Sequence, residues 1–160
     1  RRIVSTAVPL RQWLTGKLLA LLCVFALAGA AGLACARWLL GLPVSNPALA
    51  VAWIVVAGLT LYLFFALLQM FAASERSANM LVNFCFFPIA MMGGVFFPFE
   101  MMPAGMAAVA RRTPLGWALA ELRALLAGPA PFASAFAVLG VAGLILFLIA
   151  LWRLKRSFAR

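Results

Sequence analysis

Long intervals without a single charged side chain dominate this sequence. Residues 18–36, LLALLCVFALAGAAGLACA, form an uncharged run between Lys17 and Arg37, and no charge occurs from Trp38 to Ser74. A helix needs about 20 mostly apolar residues to cross the hydrocarbon core of a bilayer. Composition agrees: of 160 residues, 68% are apolar and 10% charged, against about half and about a quarter in a soluble domain. So few charges cannot cover a water-soluble fold. An ordinary globular enzyme, a disordered chain and a disulfide scaffold are excluded, and an integral membrane protein remains. The net charge of +10 would suggest nucleic acid in a soluble protein. Here the basic residues lie mostly between apolar runs and read as anchors at the membrane surface, with no nucleic-acid role. Cys23, Cys35 and Cys85 all fall inside apolar runs and read as small buried hydrophobes.

Four spans are expected, near residues 18–36, 48–73, 78–98 and 132–151. Gly41, Pro43 and Pro47 delay the start of the second, and Glu75-Arg76 closes a short loop after it. The third contains Pro88 and Gly93-Gly94, which predict a bend, because proline removes a backbone donor and glycine loosens the chain. Gly140 and Gly143 give the fourth a flat patch for close helix approach. The basic tail 152–160 follows it.

Residues 100–130 fit no clean span. Pro103 suits a first helical position, with Glu100 near the positive end of a short helix and Arg111-Arg112 near its negative end. Thr113-Pro114 reads as a cap and first residue of a second helix, which Gly128-Pro129 stops. Leu115, Leu119, Leu122 and Leu126 share one face of it, with Glu121 and Arg123 off that face. Both helices are too short to cross, so the fold class predicted is all-α integral membrane: four transmembrane helices plus an external re-entrant helical hairpin between the third and fourth. The plain alternative for the hairpin is an interfacial loop.

Four spans put both termini on one side. That side collects Arg1, Arg2, Arg11, Lys17, Arg76, Arg153, Lys155, Arg156 and Arg160, and the other holds Arg37, Arg111, Arg112 and Arg123. The excess places the termini in the cytoplasm and the hairpin outside. The chain begins Arg1-Arg2-Ile3 rather than with Met, and it reads as a piece of a longer protein.

Familiar chemistry is missing. The sequence has no His, and its three acidic residues are Glu75, Glu100 and Glu121. A Ser-His-Asp triad and an aspartyl-protease pair are therefore impossible, and no zinc-ligand cluster is spelled out. The Gly16-Lys17 pair lacks the rest of a phosphate-binding loop. The chain is not expected to be an enzyme, to hydrolyse ATP itself, or to hold a cofactor or metal. Thr60, Gln69, Asn79 and Asn83, the polar groups within spans, read as interhelical hydrogen-bonding residues. Met101, Met102 and Met106 offer either a soft apolar surface to a greasy substrate or ordinary packing.

Three segments in order carry a resemblance: STAVPLRQWLTGKLLA (Ser5–Ala20), GGVFFPFEMMP (Gly93–Pro103) and RRTPLGWALAEL (Arg111–Leu122). Together they resemble the C-terminal half of permease subunits of the type-2 ABC exporter superfamily. The resemblance implies a six-helix permease of a bacterial inner membrane, of which this chain supplies the last four helices, working as a dimer with an ABC ATPase subunit. Residues 1–17 would be the cytoplasmic coupling segment, with Pro9, Leu10 and Arg11 at the ATPase contact. The bent third span and the hairpin would be the external gate, built from Gly93, Gly94, Pro98, Glu100, Pro103, Arg111, Arg112, Pro114, Trp117 and Glu121. The acidic residue often found near the start of the coupling segment is absent. A structural or assembly subunit without its own transport path is the competing reading, and the exported substrate stays open.

Overall fold

A computed structural model describes residues 10–72, 74–128 and 132–158. Among these every regular element is helical: α1 (Leu10–Leu40), α2 (Pro47–Gln69), α3 (Glu75–Met92), a short 3-10 turn (Phe99–Met101), α4 (Ala104–Ala110), α5 (Pro114–Ala127) and α6 (Phe132–Phe158).

Three helices are long and apolar enough to cross a bilayer: Thr15–Leu40, Pro47–Gln69 and Ala133–Trp152, with mean hydropathies of 2.5, 2.4 and 2.6. The 31 residues of α1 amount to about 46 Å of unbroken helix, well beyond a ~30 Å core. It ends where Gly41 takes φ +63°, and the Leu42 N–H reaches back to Ala36 O at 3.2 Å. Pro47 opens α2 at a position where its missing N–H leaves no helical bond unmade. After Gln69 the chain turns through Phe71 N–H to Leu68 O and Ala72 N–H to Gln69 O, both 3.1 Å, so the helix stops short of residue 73. Ser74 caps α3 by accepting the Ser77 N–H at 3.2 Å.

The third apolar segment is shorter as a helix than its uncharged run. It spans 18 residues, carries Glu75 and Arg76 in its first turn, and holds Pro88 inside. It stops at Met92 rather than reaching 98, because Gly93 caps it and Gly94 turns the chain with φ +80°. Asn79 and Asn83 are exposed on it.

At the centre lies α2, packed against α1, α3, α5 and α6. The core is concentrated in its first half, where Ala50, Trp53 and Ala57 meet Leu33 of α1, Ala118 and Leu125 of α5, and Ala135 and Leu139 of α6. Alanines let these backbones approach closely, and dispersion contact rather than hydrophobic expulsion holds helices together in lipid. Gly143 of α6 is packed so that an added Cβ would lie 3.0 Å from Thr60 Oγ1, whereas Gly140 faces open space. The Thr60 hydroxyl lies 2.8 Å from Val56 O of its own helix and 3.5 Å from Leu139 O of α6. It is therefore mainly a local bond. Cys23 and Cys35 are exposed on α1 rather than buried. They sit among Leu19, Val24 and Leu27, side chains that suit lipid or another protein surface.

Candidate functional site

The expected gate residues lie on the segment that joins α3 to α6, and Phe99 is their hub. Gly94 is the only residue type that suits the tight approach there: a Cβ on it would lie 2.7 Å from the Phe99 ring, and its φ of +80° is one that L side chains rarely adopt. The ring is 4% exposed. Two guanidinium groups lie against it, Arg111 at 5.5 Å and Arg123 at 5.2 Å from the centroid, within the range of cation–π attraction. Arg123 also reaches the neighbouring Glu100 carboxylate at 3.6 Å, with side-chain exposures of 41% and 69%. A pair so open to solvent contributes about 0–1 kcal/mol. The buried ring therefore fixes this node, and the ion pair trims its orientation.

A sharp turn separates α4 from α5. Thr113 Oγ1 donates to Ala110 O at 2.7 Å and accepts the Gly116 N–H at 3.1 Å, capping α5 as its sequence position predicts. Pro114 is the first residue of α5. Pro103, expected at a first helical position, instead sits one place earlier as the N-cap residue of α4. Gly116 is buried, and an added Cβ would collide with Ala110 O. It is therefore a packing glycine.

The rest of α5 is seated on α2. Trp53 Nε1 donates to Ala118 O at 2.9 Å, and Ser45 Oγ donates to Leu126 O at 3.3 Å. The two contacts order α5 antiparallel to α2, with its Pro114 end lying deeper along the bundle than its Ala127 end. Trp53 is six residues in from Pro47, so Ala118 sits about 9 Å down the α2 axis. The Trp53 ring meets Trp117 edge-on (5.8 Å, 70°) and Phe136 of α6 edge-on (5.0 Å, 83°). The face of α5 that is buried most deeply carries Ala118 and Leu125, with Trp117, Leu122 and Leu126 packed around it. The predicted leucine stripe is thus rotated: Leu115, Leu119, Leu122 and Leu126 are all only half-buried.

Of the expected gate residues, the structure gathers Gly94, Glu100 and Arg111 around Phe99. Gly93 packs against Leu115, Trp117 joins the Trp53 cluster, and Pro98, Pro103 and Arg112 are exposed. Glu121 is half-buried and forms no ion pair among the described residues. Pro9 lies outside the described residues, and Leu10 and Arg11 enter only as the first backbone positions of α1. Two residues central to the geometry were not singled out from sequence: Trp53 and Phe99. Trp53 had one signal, a lone indole in an otherwise aliphatic first half of the second span.

The family model for the ABC-2 type transporter matches residues 1–127, and the chain belongs to that family. No curated protein and no solved structure matches it. The match ends with the last residue of α5. With three helices able to cross a bilayer, the chain is a multi-pass membrane protein with a permease role in ABC transport. Such domains generally work with ABC ATPase subunits.

Proposed function

We propose that this ABC-2 family member is the transmembrane permease subunit of an ATP-driven exporter, forming the substrate path with a second permease copy and coupling to a separate ATPase subunit. In this reading residues 1–17 are cytoplasmic, with Pro9, Leu10 and Arg11 at the ATPase contact. Four segments cross the inner membrane, α3 being the third, both termini are cytoplasmic, and residues 100–130 form a re-entrant external gate.

The observation that carries the reading is the seating of α5. It is about 21 Å long for its 14 residues, too short to cross, and it lies against the Pro47 half of α2 with its start deeper than its end. A hairpin dipping into one leaflet has that geometry. α1 supports the coupling role: it is unbroken from Leu10 to Leu40, so a displacement at its first turn is carried along a rigid rod. Because α2 touches both α1 and α5, such a displacement reaches the gate through one packed helix. ATP binding would then shift the assembly between two packings.

Spin labels at positions 45 and 126, in full-length protein whose native cysteines are replaced, test this. The protein is reconstituted with its ATPase partner. The distance between labels should change on adding ATP with vanadate, and Arg11→Glu should abolish the change while the protein remains in the membrane. An identical distance distribution in both nucleotide conditions would sink the gate assignment.

A further inference from the structure

At the end of the bundle opposite α5, three helices leave a crevice of about 160 Å³. A single water needs only about 10–15 Å³, so the space is many times larger than one ordered water. Its walls are hydrocarbon, among them Leu21 of α1, Leu63 and Ala66 of α2, and Phe147 of α6. Two polar groups stand on its rim. One is Lys17, exposed, with its ammonium 5.7 Å from the centroid of the Tyr62 ring. The other is Tyr62 itself, the single tyrosine of the chain, half-buried, for whose hydroxyl no hydrogen-bond partner exists among the described residues. A hydroxyl held in an apolar setting without a partner is costly.

We propose that this crevice is a binding site for an anionic phospholipid of the surrounding leaflet. One acyl chain lies between α1, α2 and α6, and the phosphate is held by Lys17 and the Tyr62 hydroxyl. Each half of the ligand answers one feature: the apolar space takes hydrocarbon, and the cation with the Tyr62 hydroxyl takes a phosphate diester. Preference for a net negative headgroup follows from the local field. Lys17 is an exposed cation on the rim, and a fixed positive charge at the membrane surface attracts anionic headgroups. A choline headgroup brings a compensating positive charge into that field. The inference requires only that the bundle crosses a membrane. It stands or falls separately from the gate.

The test uses the full-length protein, delipidated in a neutral detergent and titrated with phosphatidylglycerol, with phosphatidylcholine, or with inorganic phosphate alone. Bound lipid is counted by native mass spectrometry, and melting is followed in parallel. Wild type should bind phosphatidylglycerol about tenfold more tightly than phosphatidylcholine, the order expected of one charge-assisted contact. Lys17→Gln should cut that preference to below about twofold. Ala66→Phe, which fills the crevice and leaves Lys17 in place, should weaken phosphatidylglycerol by a similar factor. Tyr62→Phe removes one oxygen without disturbing packing and should weaken it about threefold. It keeps the test decisive if either other variant folds poorly. Equal binding of the two lipids, an unchanged preference in Lys17→Gln, an unchanged phosphatidylglycerol affinity in Tyr62→Phe, or the same melting gain from inorganic phosphate alone would overturn the proposal.

Discussion

Replacing Trp53 separates the two forces that hold α5 on α2. The side chain is 1% exposed, donates one hydrogen bond to Ala118 O at 2.9 Å, and has edge-on contacts with Trp117 and Phe136. Trp53→Phe removes the donor and part of the ring. Ala118 O lies inside α5 and keeps its place in the helical ladder, so the carbonyl is not stranded. The lost bond costs about 0.5–1.5 kcal/mol in general and about 0.6 kcal/mol on average between membrane helices. Trp53→Ala removes the whole ring and leaves a cavity, a change that costs about 3–5 kcal/mol in a packed core. Part of that sum is the aromatic pairing, about 0.5–1.5 kcal/mol per pair. Packing therefore outweighs the bond by several-fold. The loss should appear locally, because α5 is short and can leave α2 before the long helices part. Labelling of a cysteine at position 126, in a background without other cysteines, reads that opening. Every 1.4 kcal/mol is tenfold, and the contacts of Trp53 with α1 and α6 persist when α5 leaves, so Trp53→Ala should speed labelling by roughly a hundredfold and Trp53→Phe by roughly tenfold or less. Equal rates in the two variants would refute the claim that ring packing, more than the hydrogen bond, holds α5 down. A Trp53→Ala rate within twofold of wild type would refute the seating of α5 itself.

Other substitutions probe the turn and the node. Gly94→Ala combines a positive φ with a Cβ 2.7 Å from the Phe99 ring, and should lower stability by about 1–3 kcal/mol in thermal or denaturant melting; Gly105→Ala, at an open position, is the control and should be neutral or stabilising. Gly116→Ala should be worse than Thr113→Ala, since it drives a side chain into backbone at Ala110, whereas Thr113→Ala removes a cap worth about 0.5–2 kcal/mol; the order of the two melting temperatures checks this. A cysteine at position 45 should react with an impermeant thiol reagent from outside the cell, and cysteines at 5 and 158 only from the cytoplasm. Labelling of position 45 from the cytoplasm alone would contradict the four-span topology.

Chemistry that depends on neighbours in sequence was legible in the sequence. Uncharged runs dictated the long apolar helices, since no other structure satisfies backbone groups in hydrocarbon. Thr113-Pro114 dictated where α5 starts, and Gly128 where it stops, because caps act within one turn. The order of short motifs around Ser5–Ala20, Gly93–Pro103 and Arg111–Leu122 pointed to the family that the match over residues 1–127 shows. Contacts between distant segments were not legible. The bond from Trp53 to Ala118 spans 65 positions, and no local pattern says which helix an indole will meet. Periodicity placed four leucines on one face of α5, but it could not say that the buried face would be centred on Ala118, where a small side chain lets α5 approach α2. Phe99 looked like one more phenylalanine in a greasy run until the turn at Gly94 folded Arg111 and Arg123 onto it. Local chemistry determined which segments are helices and where they end. Only packing across the chain decided which side chains hold them together, because that depends on distances that sequence separation does not encode.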